Sequence, residues 1–309
     1  MHKLLLFESI LMIIVCSSCI REVEYVFDDD ISRTAITCVL ENGTDPVVKV
    51  FNTNSINDSL DYVDLKDATV SITRGDGESY ELTFDPVINA FISGTMALAG
   101  WNYELEVRIS DVVYTAATSI PSKGEIYQAS YTYGKHKDEY GMDLTHCEIT
   151  LLDDSLKENY YQLFLINYEN SPPAILNFYG YKNISNPVLV TEALLEYEPE
   201  FFLFSDANSE QGMIKIEFNN ISFSIFNGKP GKTQIVVRSV SKEYYKFLRS
   251  WIVHSYKQNN GQHVNVIDDL DPYRIFFQGQ PVELYSNIEN GVGVFGAYTE
   301  SRKFFTYVE

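Results

Sequence analysis

The 309-residue chain is 45% hydrophobic and sets 43 Asp and Glu against 23 Lys and Arg, a formal net charge of −20. So acidic a surface repels phosphate backbones and anionic lipid headgroups alike, which excludes nucleic acid and electrostatic membrane docking. Length and apolar content suffice for a sizeable core shared between two domains.

The first element is an apolar run from Leu4 to Val15, preceded by Lys3 and interrupted by Glu8. It is shorter than the roughly 20 residues that span a bilayer as a helix. Its order is that of a secretory signal, with a basic start, an apolar centre and then small residues. Ser17 and Ser18 directly before Cys19 resemble a bacterial lipobox, in which small side chains admit the peptidase and the thiol takes up diacylglycerol. Cys16 stands where leucine is usual. Residues 1–18 are therefore expected to be a lipoprotein signal peptide, the alternatives being an ordinary cleaved signal or an uncleaved anchor. Cys19 is the expected lipidation site, carrying covalent diacylglycerol and acyl chains; no cofactor is expected beyond these, with calcium as a remote alternative.

Residues 19–32, with "REVEYVFDDD", read as an acidic tether, and its acids resemble the surface-export signals of Bacteroidota lipoproteins. Two or more acyl chains anchor a protein stably where one does not, so lipid supplies the attachment that charge does not. The expected location is the outer membrane, at the cell surface rather than the periplasmic face.

Residues 33–120 read as a β-sandwich domain. "TAITCVLE" and "PVVKVFN" flank the turn "NGTD"; "ATVSITR" and "YELTF" flank "GDGES"; and "WNYELEVRI" turns through Ser110-Asp111 into "VVYTAAT". Alternation is clean in the third of these pairs, with Tyr103, Leu105, Val107 and Ile109 on one face and Glu104, Glu106 and Arg108 on the other, as in half-buried strands of packed sheets. Pro121 marks a boundary.

Residues 121–309 read as a larger β domain, its strands "IYQASYTYG", "LTHCEITLL", "NYYQLFLINYE", "GMIKIEFNN" and "KTQIVVRSV" drawing on the 22 Tyr and 19 Phe of the chain. One segment has a different period. Tyr244, Phe247, Leu248, Trp251, Ile252 and Tyr256 recur at the spacing of an amphipathic helix, expected near 241–258. Ser241 is its N-cap, Glu243 lies in its first turn, and "NNG" stops it. The fold class is thus mainly β: an N-terminal immunoglobulin- or transthyretin-like sandwich, then a larger β domain carrying one helix.

No nucleophile elbow, P-loop or H-E-x-x-H motif occurs, and beyond the leader no C-x-x-C is found, which argues against a zinc knuckle or redox dithiol. Cys38 and Cys147 alternate with apolar neighbours and read as buried single thiols, with a disulfide between them as the alternative. Asp206, Asn208, Glu210 and Glu217 occupy the first, third, fifth and twelfth places of a calcium loop, but Gln211 stands where glycine is required and strands flank it. A hairpin turn is the blander reading. Asp268, Asp269 and Asp271 read as an acidic turn, with an ion site as the distant alternative, and His136 and His146 as residues of a polar hairpin whose spacing fits no standard metal ligand set. His254 falls opposite the apolar stripe of the helix, and His263 in a loop. Trp101 and Trp251 lie within apolar patterns and are expected in the core, with stacking on a sugar as the alternative. A carboxylate pair for glycoside hydrolysis is open, since distance in space is not readable from sequence.

"SVSKEYYKFLRSW" and "PVELYSNIENGVGVFGAYTESRKFF" resemble the C-terminal signature of a Bacteroidota outer-membrane lipoprotein family known only as a domain of unknown function and usually encoded beside TonB-dependent receptors. The helix opening matches from Val240 to Phe247. The "SNI-x-NG-x-G-x-FGA" box matches at Ser286, Asn287, Ile288, Asn290, Gly291, Gly293, Phe295, Gly296 and Ala297. Ile56-Asn57-Asp58-Ser59 and Ala68 to Ile72 follow the pattern at the front, while "NVIDDLDPYRIFFQG" departs from the family's proline-rich loop. The resemblance implies a non-enzymatic accessory of a TonB-dependent outer-membrane receptor, with ligand unknown and no catalytic residue to transfer. A structural or adhesion module at the surface is the alternative, and a hydrolase a remote one. On the residues alone, Asn290-Gly291 signals a tight turn and the spaced glycines a close backbone approach, so a structural role is expected for the box.

Overall fold

The computed structural model describes residues 32–53, 63–137, 140–153, 157–168, 171–175, 181–185, 201–207, 212–220, 233–258 and 283–308. The leader, Cys19 and the tether as far as residue 31 lie outside them, as do Asn208, Glu210, His263 and the Asp268–Asp271 turn.

The first half is a run of short antiparallel strands: β1 (Thr34–Glu41), β2 (Val47–Asn52), β3 (Val63–Asp64), β4 (Thr69–Arg74), β5 (Ser79–Asp85), β6 (Ala90–Ile92), β7 (Asn102–Ile109) and β8 (Val112–Ser119). Their order across the sheet is β1-β2-β6-β5-β4-β7-β8. Period-two alternation sends Ile36, Cys38, Leu40, Val70, Ile72, Leu105 and Val107 into one core. Tyr103 is fully buried, and its hydroxyl is satisfied by the backbone of Leu98, accepting from N at 2.8 Å and donating to O at 3.2 Å.

The second half comprises β9 (Glu125–Lys137), β10 (Asp143–Leu152), β11 (Tyr160–Asn167), β12 (Ala174–Ile175), β13 (Tyr181–Ser185), β14 (Phe202–Ser205), β15 (Met213–Asn220), β16 (Thr233–Val240), α1 (Lys242–Gln258), β17 (Val292–Phe304) and β18 (Thr306–Tyr307). A five-stranded sheet, β13-β15-β10-β9-β18, faces the β12-β11-β16-β17 part of the large sheet. Cys147, Ile149, Ile216 and Phe218 from the first meet Leu163, Leu165, Ile235 and Val237 from the second in a second core. The other face of β11 and β16 packs against α1 through Tyr160, Val240, Tyr245, Leu248 and Ile252. Covered on both faces, β11 and β16 need the nearly continuous apolar runs "YYQLFLIN" and "TQIVVRSV". The described residues are therefore mainly β, two sheets packed as a sandwich with one helix.

Ser241 caps α1, its Oγ accepting from Tyr244 N at 3.2 Å and from Ala297 N at 3.1 Å. The buried stripe is rotated from the expected one. Tyr245, Leu248 and Ile252 face inward, and Trp251 is 46% exposed with its ring stacked on His254. Trp101 is likewise 39% exposed, its ring 5.2 Å from the Arg74 guanidinium carbon. Both tryptophans correct the core expectation: each neighbours an apolar stripe without belonging to it.

The last long strand ties the halves together. β17 pairs in parallel with β1, from Ala35 opposite Val292 to Glu41 opposite Tyr298, and antiparallel with β16 on its other side. Phe295 and Ala297 thereby enter the first core, along with Ile288. The segment before β17 also reaches β8. Asn287 Nδ2 donates to Ala117 O (3.2 Å) and Phe295 O (2.9 Å), its Oδ1 accepts from Phe295 N (2.9 Å), Glu289 N donates to Thr115 O (2.8 Å), and Asn290 Nδ2 donates to Val113 O (2.9 Å).

Asn290 holds φ +64° in the turn. Gly293, at φ +125°, passes so close to β1 that a Cβ would stand 2.0 Å from Ile36 O, and a Cβ on Gly296 would stand 2.7 Å from that of Tyr244 on α1. The "SNIENGVGVFGA" box is a structural clasp that joins β1, β8 and α1.

Candidate functional site

The outer face of the five-stranded sheet carries a dense set of polar side chains. With the apolar residues of β9, β10 and β15 turned inward, alternation turns the others out in three rows: Thr132, His146 and Asn219; Ser130, Glu148 and Glu217; Gln128, Thr150 and Lys215. Directly opposed residues of an antiparallel pair have Cβ atoms roughly 4.5–5.5 Å apart, so Glu148 and Glu217 oppose like charges across β10 and β15. Lys215 offsets them, with Nζ 3.8 Å from Glu148 Oε2 and in closer contact with Glu217 Oε1. The hydrogen bond to Glu217 raises the Lys215 ammonium above its ordinary pKa, helped by the field of Glu148 and opposed by desolvation. His146 completes the row, Nε2 lying 3.5 Å from Glu148 Oε1 and Nδ1 2.9 Å from Asn219 Oδ1.

Between β9 and β10 this face is dented by a cleft of about 80 Å³ bordered by Gln128, Ser130, Thr132, His146 and Glu148, with Val308 at one end. Its volume falls well short of the roughly 300–1,000 Å³ of sites that enclose small molecules. Hydroxyl, amide, imidazole and carboxylate groups side by side suit surface hydrogen bonding to a polar partner.

Of the calcium-loop residues only Asp206 and Glu217 are described, and each is engaged within the fold. Asp206, just past β14, accepts from Asn159 N at 2.9 Å and lies beside Asp153, whereas Glu217 sits in the middle of β15 in contact with Lys215. Among the described residues, no group of three His, Cys, Asp or Glu is arranged to hold a metal ion. Cys38 and Cys147 are free thiols in different cores. Burial pushes the Cys38 thiol up to about 12 against a hydrogen bond from the Val47 backbone, and raises Cys147 as well. No described helix is long and apolar enough to cross a membrane. Sequence reasoning passed over Asp153 and Asn159, which meet Asp206 only through the fold.

Fold and surface define a mainly β, two-sheet sandwich protein whose C-terminal box locks its N-terminal strand. Residues 20–303 match the family described as Domain of unknown function (DUF4249), and the chain belongs to that family. A comparison with curated proteins gives no match. Among solved structures, the chain is similar to the BSP domain of a Biofilm associated protein (9% identity, 69% of this chain and 56% of that one, TM-score 0.17). It is also similar to a Biofilm associated protein B domain (7% identity, 89% and 86%, TM-score 0.19). The chain thus spans little more than half of the first of these. At such TM-scores neither likeness bears on fold or function.

Proposed function

We propose that this protein is a lipid-anchored outer-membrane component of a Bacteroidota cell, without catalytic activity, that serves a TonB-dependent transporter as an accessory in nutrient capture or as a cover of the receptor. The observation that carries the reading is Ser17-Ser18-Cys19 at the end of an apolar run too short to span a bilayer. The acidic residues that follow support a tether held off the membrane surface, since the body offers anionic lipid no attraction. The receptor itself rests on the resemblance of the helix opening and the C-terminal box. A polar, hydrogen-bonding outer sheet face supports a contact role over an enclosed reaction.

Mild detergent extraction of the outer membrane followed by affinity capture of the tagged full-length chain tests the partner. A β-barrel receptor retained in near-equal amount is the expected result, and capture of the chain alone refutes the transporter role.

A further inference from the structure

Two of the chain crossings between the sheets of the second half meet at one corner. One runs from Asp153, just past β10, to Asn159, just before β11; the other runs from Asp206, just past β14, to Gly212, just before β15. Their end residues bond to one another. Asp153 N donates to Gly212 O (2.9 Å), Asp206 N to Asn159 O (3.1 Å), and Asn159 N to Asp206 Oδ1 (2.9 Å). Across the corner, Asn159 Nδ2 lies 2.9 Å from Asp153 Oδ1, 3.0 Å from Lys157 O and 3.2 Å from Asp206 Oδ2. Tyr161 Oη, from β11, donates to Asp153 Oδ1.

Donors fall short here. Among the described residues the Asn159 amide offers two protons to three acceptors, and Asp153 Oδ2 is sealed from solvent without a donor. Asp206 is only 8% exposed. Among the described residues neither carboxyl has an ion pair. Among the described residues the titratable groups facing the corner are acids and phenols: Asp153 and Tyr161, then Tyr160 with Glu158 before it and Glu243 on α1. The nearby Lys242 is turned to Glu158, at 3.8 Å. A hydrogen on one carboxyl supplies the missing donor. Desolvation first, and contact with Asp153 second, raise the Asp206 pKa to about 6 against the pull of the Asn159 N–H.

We propose that Asp153 and Asp206 share one proton in the folded protein and form a pH-sensitive clasp, which joins the two sheets at this corner and loosens when the proton leaves to water. Asp206 donates the shared hydrogen to Asp153 Oδ2; once it is gone, two carboxylates face each other with one amide between them. The folded-state pKa of about 6 lies above the ordinary 3.8, so the unfolded chain releases this proton first as the pH rises. The clasp therefore contributes fully below the ordinary value, weakens between the two and is lost above the folded one.

Thermal melts from pH 4.5 to 8 on the wild type and Asp206→Asn test it, because the asparagine amide supplies the same donor without titrating. Between pH 5 and 7 the wild type is expected to lose roughly 2–4 °C relative to the variant. Over the same range the amides of Asn159 and Asp206 are expected to lose about tenfold in exchange protection after correction for intrinsic rates. Parallel melting curves with parallel protection overturn the clasp. Carboxyl NMR gives a second readout: Asp206 titrates near pH 6 in the wild type and moves down toward the ordinary range in Asp153→Asn. An Asp206 that titrates alike in both overturns the sharing.

Discussion

Replacing Gly293 with alanine probes the C-terminal clasp at its tightest point. The new Cβ would stand 2.0 Å from Ile36 O and 2.8 Å from Ile36 C, both backbone atoms, so no rotamer change relieves the contact. The backbone conformation at φ +125° costs a non-glycine residue roughly 1–3 kcal/mol on its own. Parting β1 from β17 here sacrifices about two ladder hydrogen bonds at roughly 1 kcal/mol each. The sum is about 3–5 kcal/mol, or a fall in Tm of roughly 6–20 °C. Gly43→Ala is the matched control, since φ is +82° but a Cβ there meets nothing within 4 Å; it should cost only about 1–2 kcal/mol. Urea denaturation of the two variants beside the wild type measures the difference. Equal losses would refute the close approach, and with it the account of why the box needs its glycine.

Three further outcomes follow from the same contacts. Asn287→Ala strips donors and acceptors from Ala117 and Phe295 and should cost about 2–3 kcal/mol in urea melts. Ser241→Ala removes the cap of α1 together with the acceptor for Ala297 N; about 1–2 kcal/mol is expected, with the loss of amide protection concentrated in the first turn of the helix. At pH 8, Cys38 and Cys147 should resist a maleimide in the native protein and react in urea, because burial holds both thiols protonated; peptide mapping would identify them, and labelling of either in the native state would contradict their burial.

Local pattern carried most of the strands. β1, β4, β7, β8 and β17 all lie where alternating apolar residues and turn residues such as Gly77 and Ser110 place them, and the cap at Ser241 starts α1 one residue on. What local pattern does not carry is pairing. Nothing in "TAITCVLE" says that its neighbour is "VGVFGAY" from the far end of the chain, because a parallel partner is chosen by the global fold. The very short β6 and β12 offer too few residues for a period to show. The helix was legible in position but not in face: with Tyr244, Tyr245, Phe247, Leu248, Trp251 and Ile252 all apolar, the stripe is too wide to fix its own rotation. The Asp153–Asp206 contact escaped for the same reason as the β1–β17 pairing, since two acids in separate loops give no local signal until strand ends bring them together.

Peptide mass spectrometry of the chain taken from the membrane fraction bears most directly on the central claim of a lipid-anchored body. The account predicts an N-terminal peptide beginning at Cys19 and heavier than its sequence by a diacylglyceryl group and acyl chain. A mature chain that begins elsewhere, or a Cys19 with a free thiol, would contradict it.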